Sequence, residues 1–316
     1  MSLLLVTAVA LVCFSLIIVG VLIVLSPKPR PPTENEKYFR DVHSNEPKRL
    51  PSLFDTSNVS LSCIVPAFDE SKRLPTMMSE TVSFLEERKT QQKTFTYEII
   101  VVDDGSRDNT KEVVMEFAQQ HKYADIRLLA LEKNRGKGGA VTQGMLCARG
   151  ERCLMVDADG ATKFADLVKL EEAIKDKELA IAVGSRSHLV STDAVVKRSF
   201  IRNFLMRCFH SLVYILGIRG IEDTQCGFKL FTRKAAQRVF PSMHVERWIF
   251  DIECLMIAQL QRIPIAEVQV NWHEIDGSKI NLMKDSILMA RDLLLIRLNY
   301  ILGLWTIDVS KAQKTE

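Results

Sequence analysis

The sequence predicts an α/β fold: a mostly parallel sheet with helices on both faces, attached to an amino-terminal transmembrane helix. Three observations carry this expectation. Residues 3–25 contain no charged side chain. From residue 59 onward, short β-branched runs alternate with stretches that are apolar at helical spacing. The runs end in Asp- and Gly-containing strings, and parallel sheets bind ligands at the carboxyl ends of their strands.

The first segment is long enough to span a bilayer. About 23 residues at ~1.5 Å each reach ~35 Å, against a hydrocarbon core of ~30 Å. A cleaved signal peptide would have a basic leader and an apolar run of only ~7–15 residues; here no Lys or Arg precedes the run. Lys28, Arg30, Lys37 and Arg40 follow it, so the positive-inside rule places the rest of the chain in the cytosol. Residues 1–25 are therefore read as an anchor. Residues 26–58, with Pro27, Pro29, Pro31, Pro32, Pro47 and Pro51, are read as a linker.

Residues 59–275 carry the α/β rhythm. Strands are expected at Leu61–Pro66, Tyr97–Asp103, Ile126–Leu131, Cys153–Asp157 and Leu179–Gly184. Helices are expected at Met77–Arg88, where Met78, Val82 and Leu85 share a face, and at Thr110–His121, Ala140–Arg149 and Phe164–Lys175. Residues 194–216 place Lys197, Arg198, Arg202 and Arg207 among Phe200, Ile201, Phe204, Leu205 and Phe209. Residues 280–305, inside the carboxy-terminal segment 276–316, place Lys284, Arg291 and Arg297 among Leu, Ile and Met and end in Tyr300 and Trp305. Both read as amphipathic helices in the membrane interface, the alternative being helices packed on the domain. The net charge of +3 over 316 residues argues against a nucleic-acid partner. Seven scattered cysteines without a C-x-x-C pair read as thiols in a reducing compartment.

Four strings carry the chemistry. Asp103-Asp104-Gly105-Ser106 ends a strand and leads into a helix; its carboxylates can accept hydrogen bonds from a uracil ring, though the string also suits a capped turn. Asp157-Ala158-Asp159 also ends a strand. Carboxylates one residue apart project to the same side of an extended chain. As hard oxygen ligands they can hold a divalent cation, Mg²⁺ or Mn²⁺, that grips a diphosphate. A haloacid-dehalogenase-type phosphatase could begin the same way, but it would need Thr or Val where Ala161 stands. Lys133-Asn134-Arg135-Gly136-Lys137-Gly138-Gly139-Ala140 is a basic, Gly-rich loop before a helix. It suits phosphate or sugar hydroxyls and lacks the Walker spacing of an ATPase. The fourth string is Pro66-Ala67-Phe68-Asp69-Glu70 at the end of the first strand.

In this order the strings resemble family 2 glycosyltransferases, whose fold is the Rossmann-like GT-A. That family's first strand ends in Pro-Ala/Ser-Tyr-Asn-Glu, so Phe68 and Asp69 are mild departures. The resemblance assigns Pro66, Ala67, Phe68, Glu70, Asp103, Asp104, Gly136, Lys137 and Ala158 to the nucleotide sugar. It makes Asp157 and Asp159 the metal and diphosphate site. Mannosyl members complete the metal shell with a Gln at the position of Ala161, which leaves Thr162 or water to do so here. Gly184-Ser185-Arg186 matches the family's Gly-Ser/Thr-Arg, whose Arg meets phosphate. Asp223-Thr224-Gln225-Cys226-Gly227-Phe228-Lys229 resembles a segment of the polyisoprenyl-phosphate members. Taken with His244–Asp251 and Asn271–Lys279, it is similar to the dolichyl-phosphate β-glucosyltransferases. His244–Trp248 also invites comparison with the Gln-x-x-Arg-Trp of processive synthases, but His replaces the Gln.

The resemblance covers about residues 60–300 and implies inverting transfer of glucose from UDP-glucose to dolichyl phosphate at the endoplasmic reticulum membrane, for protein N-glycosylation. It implies a divalent cation on Asp157 and Asp159. Arg186, Arg202 (or Arg198) and Lys279 are expected to hold the lipid phosphate, and Asp223 and Asp251 to grip glucose hydroxyls or orient those cations. The alternatives are a dolichyl-phosphate mannosyltransferase using GDP-mannose, a membrane-tethered nucleotidyltransferase and a non-catalytic nucleotide-sugar binder.

Overall fold

The computed structural model describes residues 3–44, 46–189, 218–275 and 282–307. A sheet of seven strands forms the centre: β3 (Val59–Ala67), β4 (Tyr97–Asp103), β5 (Ile126–Ala130), β6 (Gly150–Val156), β7 (Ile181–Ser185), β8 (Phe228–Thr232) and β9 (Ile265–Gln269). Its order is β5-β4-β3-β6-β8-β7-β9. The pairs β5–β4, β4–β3, β3–β6 and β7–β9 are parallel; β8 runs antiparallel to both neighbours. The five expected strands form within two or three residues of their expected ends. β8 and β9 were not expected, because Phe228–Thr232 is interrupted by Lys229 and β9 carries Glu267 and Gln269.

Helices cover both faces, so the central strands are apolar almost without alternation. On one face Leu61, Cys63, Val65, Ile99 and Val101 pack with Met78, Val82 and Leu85 of α2 (Leu74–Gln91) and Val114 and Phe117 of α3 (Thr110–Gln120). Leu167 and Leu170 of α5 (Leu167–Ala173), which continues a 3-10 turn over Phe164–Asp166, complete that layer. On the other face Ile64, Ile100, Val102 and Met155 meet α4 (Lys137–Leu146), α6 (Arg233–Val239) and α7 (Phe250–Leu260). The glycines of 136–139 lie at the start of α4 rather than in a loop before it. The six cysteines among the described residues are free thiols, five of them buried.

Residues 26–58 are laid along the domain rather than extended away from it. β1 (Tyr38–Phe39) pairs with β2 (Lys48–Arg49), Arg40 bridges Leu128, and the fully buried Leu53 donates its N–H to the Leu146 carbonyl. α1 (Leu3–Leu25) is a 23-residue helix without charge. Among the described residues no helix is long and apolar enough to cross a membrane, so the transmembrane helix expected at residues 1–25 is not supported. α8 (Leu282–Ile301) buries Leu293, Leu295, Ile296 and Asn299 against the domain and leaves Ile287, Leu294 and Ile301 exposed. It is tied to the end of α1 where Asn299 Nδ2 donates to Ser26 Oγ at 2.7 Å. The expected helix at 194–216 lies outside the described residues.

Candidate active site

The strand topology gathers the motifs at one edge. Ala67 ends β3 in register with Asp103 of β4, and Asp157 follows β6. The strand-end motifs are clipped together by local hydrogen bonds. Asp69 N–H donates to Ser106 Oγ (2.9 Å), Glu70 N–H to Thr110 Oγ1 (2.9 Å), and Arg107 pairs with Asp69 (2.6 Å) while lying over the Phe68 ring. Glu70 takes a two-point contact from Arg73. Pro66 stands opposite Val102, and Ala158 is buried between the two aspartates.

The two carboxylates of the Asp-Asp-Gly-Ser string have separate tasks. Asp104 accepts the N–H of Arg135 on one oxygen (2.7 Å) and that of Gly136 on the other (2.8 Å), so it holds the Gly-rich turn. Burial pushes its pKa from 3.8 up to about 7, against the pull of those two amides; the charges of Asp103 and Glu246 add to the rise. Asp103 is fully buried, accepts Ser106 N–H on Oδ2 (3.2 Å), and leaves Oδ1 without a hydrogen bond. Of the pair, Asp103 is the one with an acceptor oxygen left without a hydrogen bond. Gly136 adopts φ +94°, where a Cβ would lie 2.6 Å from the Glu246 carbonyl, so only glycine fits this turn.

Asp157 is fixed from behind. A Cβ on Gly227 would sit 1.9 Å from its Oδ2, and its N–H donates to the Gly227 carbonyl at 3.1 Å. Lys137 Nζ lies 2.6 Å from Asp157 Oδ1 and 2.9 Å from Oδ2. Only the second contact is an aligned hydrogen bond, so Oδ1 is ion-paired yet has no hydrogen-bond partner. Burial opposes the charge on Lys137, but Asp157, Asp251 and Asp159 outweigh it and raise the pKa. Asp159 accepts Ala161 N–H at 3.0 Å, and burial, then the charge of Asp157, pushes its carboxyl up. Thr162 is taken into a backbone bridge with Trp272. Hard oxygens, one of them short of a hydrogen bond, are a donor set that fits a divalent cation. Among the described residues, no group of three or more His, Cys, Asp or Glu could hold a metal.

Arg186 and Asp223 come together. The Arg186 N–H, Nε and Nη2 all donate to the Asp223 carboxylate at 2.7–2.9 Å, and the guanidinium lies over Trp272. Although burial works against charge on both, Arg186 holds Asp223 below the usual carboxylate range. Asp251 is buried and paired with Lys229, near enough to Lys137 and Asp157 for their charges to act on its carboxyl. Burial raises its pKa despite Lys229 and Lys137. Sequence reasoning included Gly227, Lys229 and Glu246 in its motifs without giving them a role, and it missed Arg73. Lys229 and Glu246 act through partners distant in sequence and Gly227 through its unsubstituted Cα, none of which is a local signal; Arg73 pairs with Glu70 three residues away. Arg198, Arg202 and Lys279 lie outside the described residues. A cleft of ≈ 600 Å³ lined by Asp55, Arg152, Arg233 and Lys234 opens elsewhere, where β6 begins, and contains none of the motif residues.

Residues 62–240 match the family model described as glycosyl transferase family 2. The chain is 51% identical over 281 residues to the dolichyl-phosphate β-glucosyltransferase of Dictyostelium discoideum, covering 87% of this chain and 86% of that protein. The enzyme of the same name from Homo sapiens is 49% identical over 283 residues, covering 88% and 87%; that from Saccharomyces cerevisiae is 46% identical over 296 residues, covering 88% and 87%. Among solved structures, glucosyl-3-phosphoglycerate synthase from Mycobacterium tuberculosis in complex with Mn²⁺ and UDP-glucose superposes with a TM-score of 0.51 at 15% identity, covering 80% of this chain and 81% of that one. That likeness establishes a GT-A-like arrangement. With near-half identity across almost the whole chain, and with the strand-end motifs assembled on one edge of such a sheet, the chain belongs to the dolichyl-phosphate β-glucosyltransferases of glycosyltransferase family 2.

Proposed function

We propose that the protein transfers glucose from UDP-glucose to dolichyl phosphate, inverting the anomeric carbon and releasing UDP. The observation that carries this is identity of 46–51% to enzymes named for that product, over 87–88% of the chain. The geometry fits the task. Asp103 offers its unpartnered oxygen to the base, and the turn at Gly136–Gly139 presents the start of α4 to phosphate. Asp157 and Asp159 would hold a divalent cation, Mg²⁺ or Mn²⁺, with diphosphate and water completing its shell; bound there, the cation supplies positive charge to the departing UDP. Lys137 adds a second cation beside Asp157.

The acceptor needs little help in losing a proton. A phosphate monoester with a second pKa near ~6 is largely dianionic in the cytosol. The harder task is to bring that anion up to a sugar that already carries diphosphate. Arg186, oriented by Asp223, is placed to counter this charge, and the fork of an arginine suits phosphate. We assign Arg198, Arg202 and Lys279 to the same acceptor phosphate. α1, with Phe14, Leu16 and Ile17 exposed, would anchor the enzyme in the endoplasmic reticulum membrane with the domain facing the cytosol, beside both substrates. The test is incubation with dolichyl phosphate and labelled nucleotide sugars, followed by lipid extraction. UDP-glucose should label the lipid, and Asp159→Ala should lower turnover about 10²-fold or more. Preferential transfer from GDP-mannose would overturn the sugar assignment.

A further inference from the structure

Arg135 lies in the Gly-rich string, and its side chain meets Glu246 and Glu36. Its side chain is 2% exposed. Nε donates to Glu246 Oε1 at 2.8 Å, and Nη2 donates both to that oxygen and to the Arg30 carbonyl. Nη1 lies 3.9 Å from Glu36, whose carboxylate is fully buried. Two segments from opposite ends of the chain thus meet on one guanidinium.

The first segment is the one that follows α1. Glu36 takes a two-point contact from Arg30 and accepts the N–H groups of Thr33 (3.1 Å) and Glu132 (2.9 Å), while Arg30 Nη2 also donates to the Lys133 carbonyl at 3.2 Å. The second is the loop 244–249, held in turn by α8 and the turn after it. Trp305 stacks on His244 with centroids 4.1 Å apart, and Tyr300 Oη donates to Glu253 Oε1 at 3.2 Å. Glu253 accepts the N–H groups of His244 and Val245. The loop then reaches the Gly-rich turn by two routes: Glu246 to Arg135, and the Gly139 N–H to the Glu246 carbonyl at 2.9 Å.

We propose that Arg135 is a positioning residue for the donor site, through which the segment behind α1 and the loop beneath α8 hold the Gly-rich turn in its phosphate-facing shape. The inference rests on the reading of that turn as the diphosphate cradle. Arg135 does not touch the donor itself. Its guanidinium holds the turn through Glu246, while Asp104 catches the N–H groups of Arg135 and Gly136. Both elements that flank the membrane anchor therefore bear on donor affinity, not only on where the enzyme resides.

The experiment measures UDP affinity of the full-length, detergent-solubilised enzyme by calorimetry, alongside KM for UDP-glucose and for dolichyl phosphate. Lys137→Met tests the underlying reading: unchanged UDP affinity there would remove the cradle itself. If that affinity falls, Arg135→Met should weaken UDP about tenfold, the scale of one charge-assisted contact, with KM for dolichyl phosphate unchanged. Glu246→Gln should weaken UDP in the wild-type background and add nothing in Arg135→Met, because its carboxylate acts through that guanidinium. Arg135→Lys, which keeps the buried charge, should give an intermediate loss and stands in if Arg135→Met does not fold. A Glu246→Gln effect that persists without the arginine, or undiminished UDP affinity in the Arg135 variants, would overturn the proposal.

Discussion

Asp103 and Asp104 are adjacent, alike and both buried, yet their surroundings divide them. Asp104 spends both oxygens on backbone amides, while Asp103 keeps one oxygen unbonded. The division has a consequence for pH. Burial raises the pKa of Asp104 from 3.8 to about 7, so between those values the folded state binds a proton that the unfolded chain has released. Stability from this group is complete below about pH 4 and is lost as pH rises through about 7, the reverse of a salt-bridged carboxylate. At ~1.36 kcal/mol per tenfold change, the span corresponds to roughly 4 kcal/mol. The denaturation midpoint of the wild type should therefore drop between about pH 5 and about pH 8 by more than that of Asp104→Asn. Equal drops in the two proteins would show that the group titrates normally.

At the scale of elements, α8 does two things at once. Its buried side carries Leu293, Leu295, Ile296 and Asn299, while Ile287, Leu294 and Ile301, seven residues apart, are 46–66% exposed. Seven residues are close to two helical turns, so these three form one stripe. Next to the uncharged α1, to which α8 is tied through Ser26, such a stripe suits the boundary of a bilayer. Leu294→Glu combined with Ile301→Glu should leave the thermal midpoint nearly unchanged, because neither side chain is in the core. The same pair should raise KM for dolichyl phosphate in liposomes several-fold while sparing a short-chain acceptor in detergent. Equal losses with both acceptors would place the stripe's role inside the domain.

The whole molecule contains a reporter of its own orientation. Asn58-Val59-Ser60 is an acceptor triplet for N-glycosylation, and Asn58 is exposed at the start of β3. On the proposed orientation, with the domain in the cytosol as the positive-inside rule would have it, the triplet should stay unmodified and the protein should run at its unglycosylated mass. The nearby fold could shield Asn58 as well, so the informative outcome is the opposite one. An endoglycosidase-sensitive shift that disappears in Asn58→Gln would put the domain in the lumen.

By itself the sequence determined the alternation of strands and helices, the carboxylates at the strand ends, and the family through its ordered motifs. Those features are written locally: periodicity over a few residues, a turn glycine, a pair of aspartates. The partners of the charged groups were decided only by tertiary structure. Arg186 meets Asp223 across 37 residues, and Arg135 meets Glu246 across 111. The order β6-β8-β7 brings Gly227 against Asp157. Nothing in the proline-rich stretch 26–58 marks it as part of the domain. Buried charges must find partners wherever the fold brings them, and for Glu36 those partners are Arg30 of its own segment and the N–H of Glu132, just before the Gly-rich string. Local chemistry selects the elements; the desolvation cost of unpaired groups selects which distant elements meet.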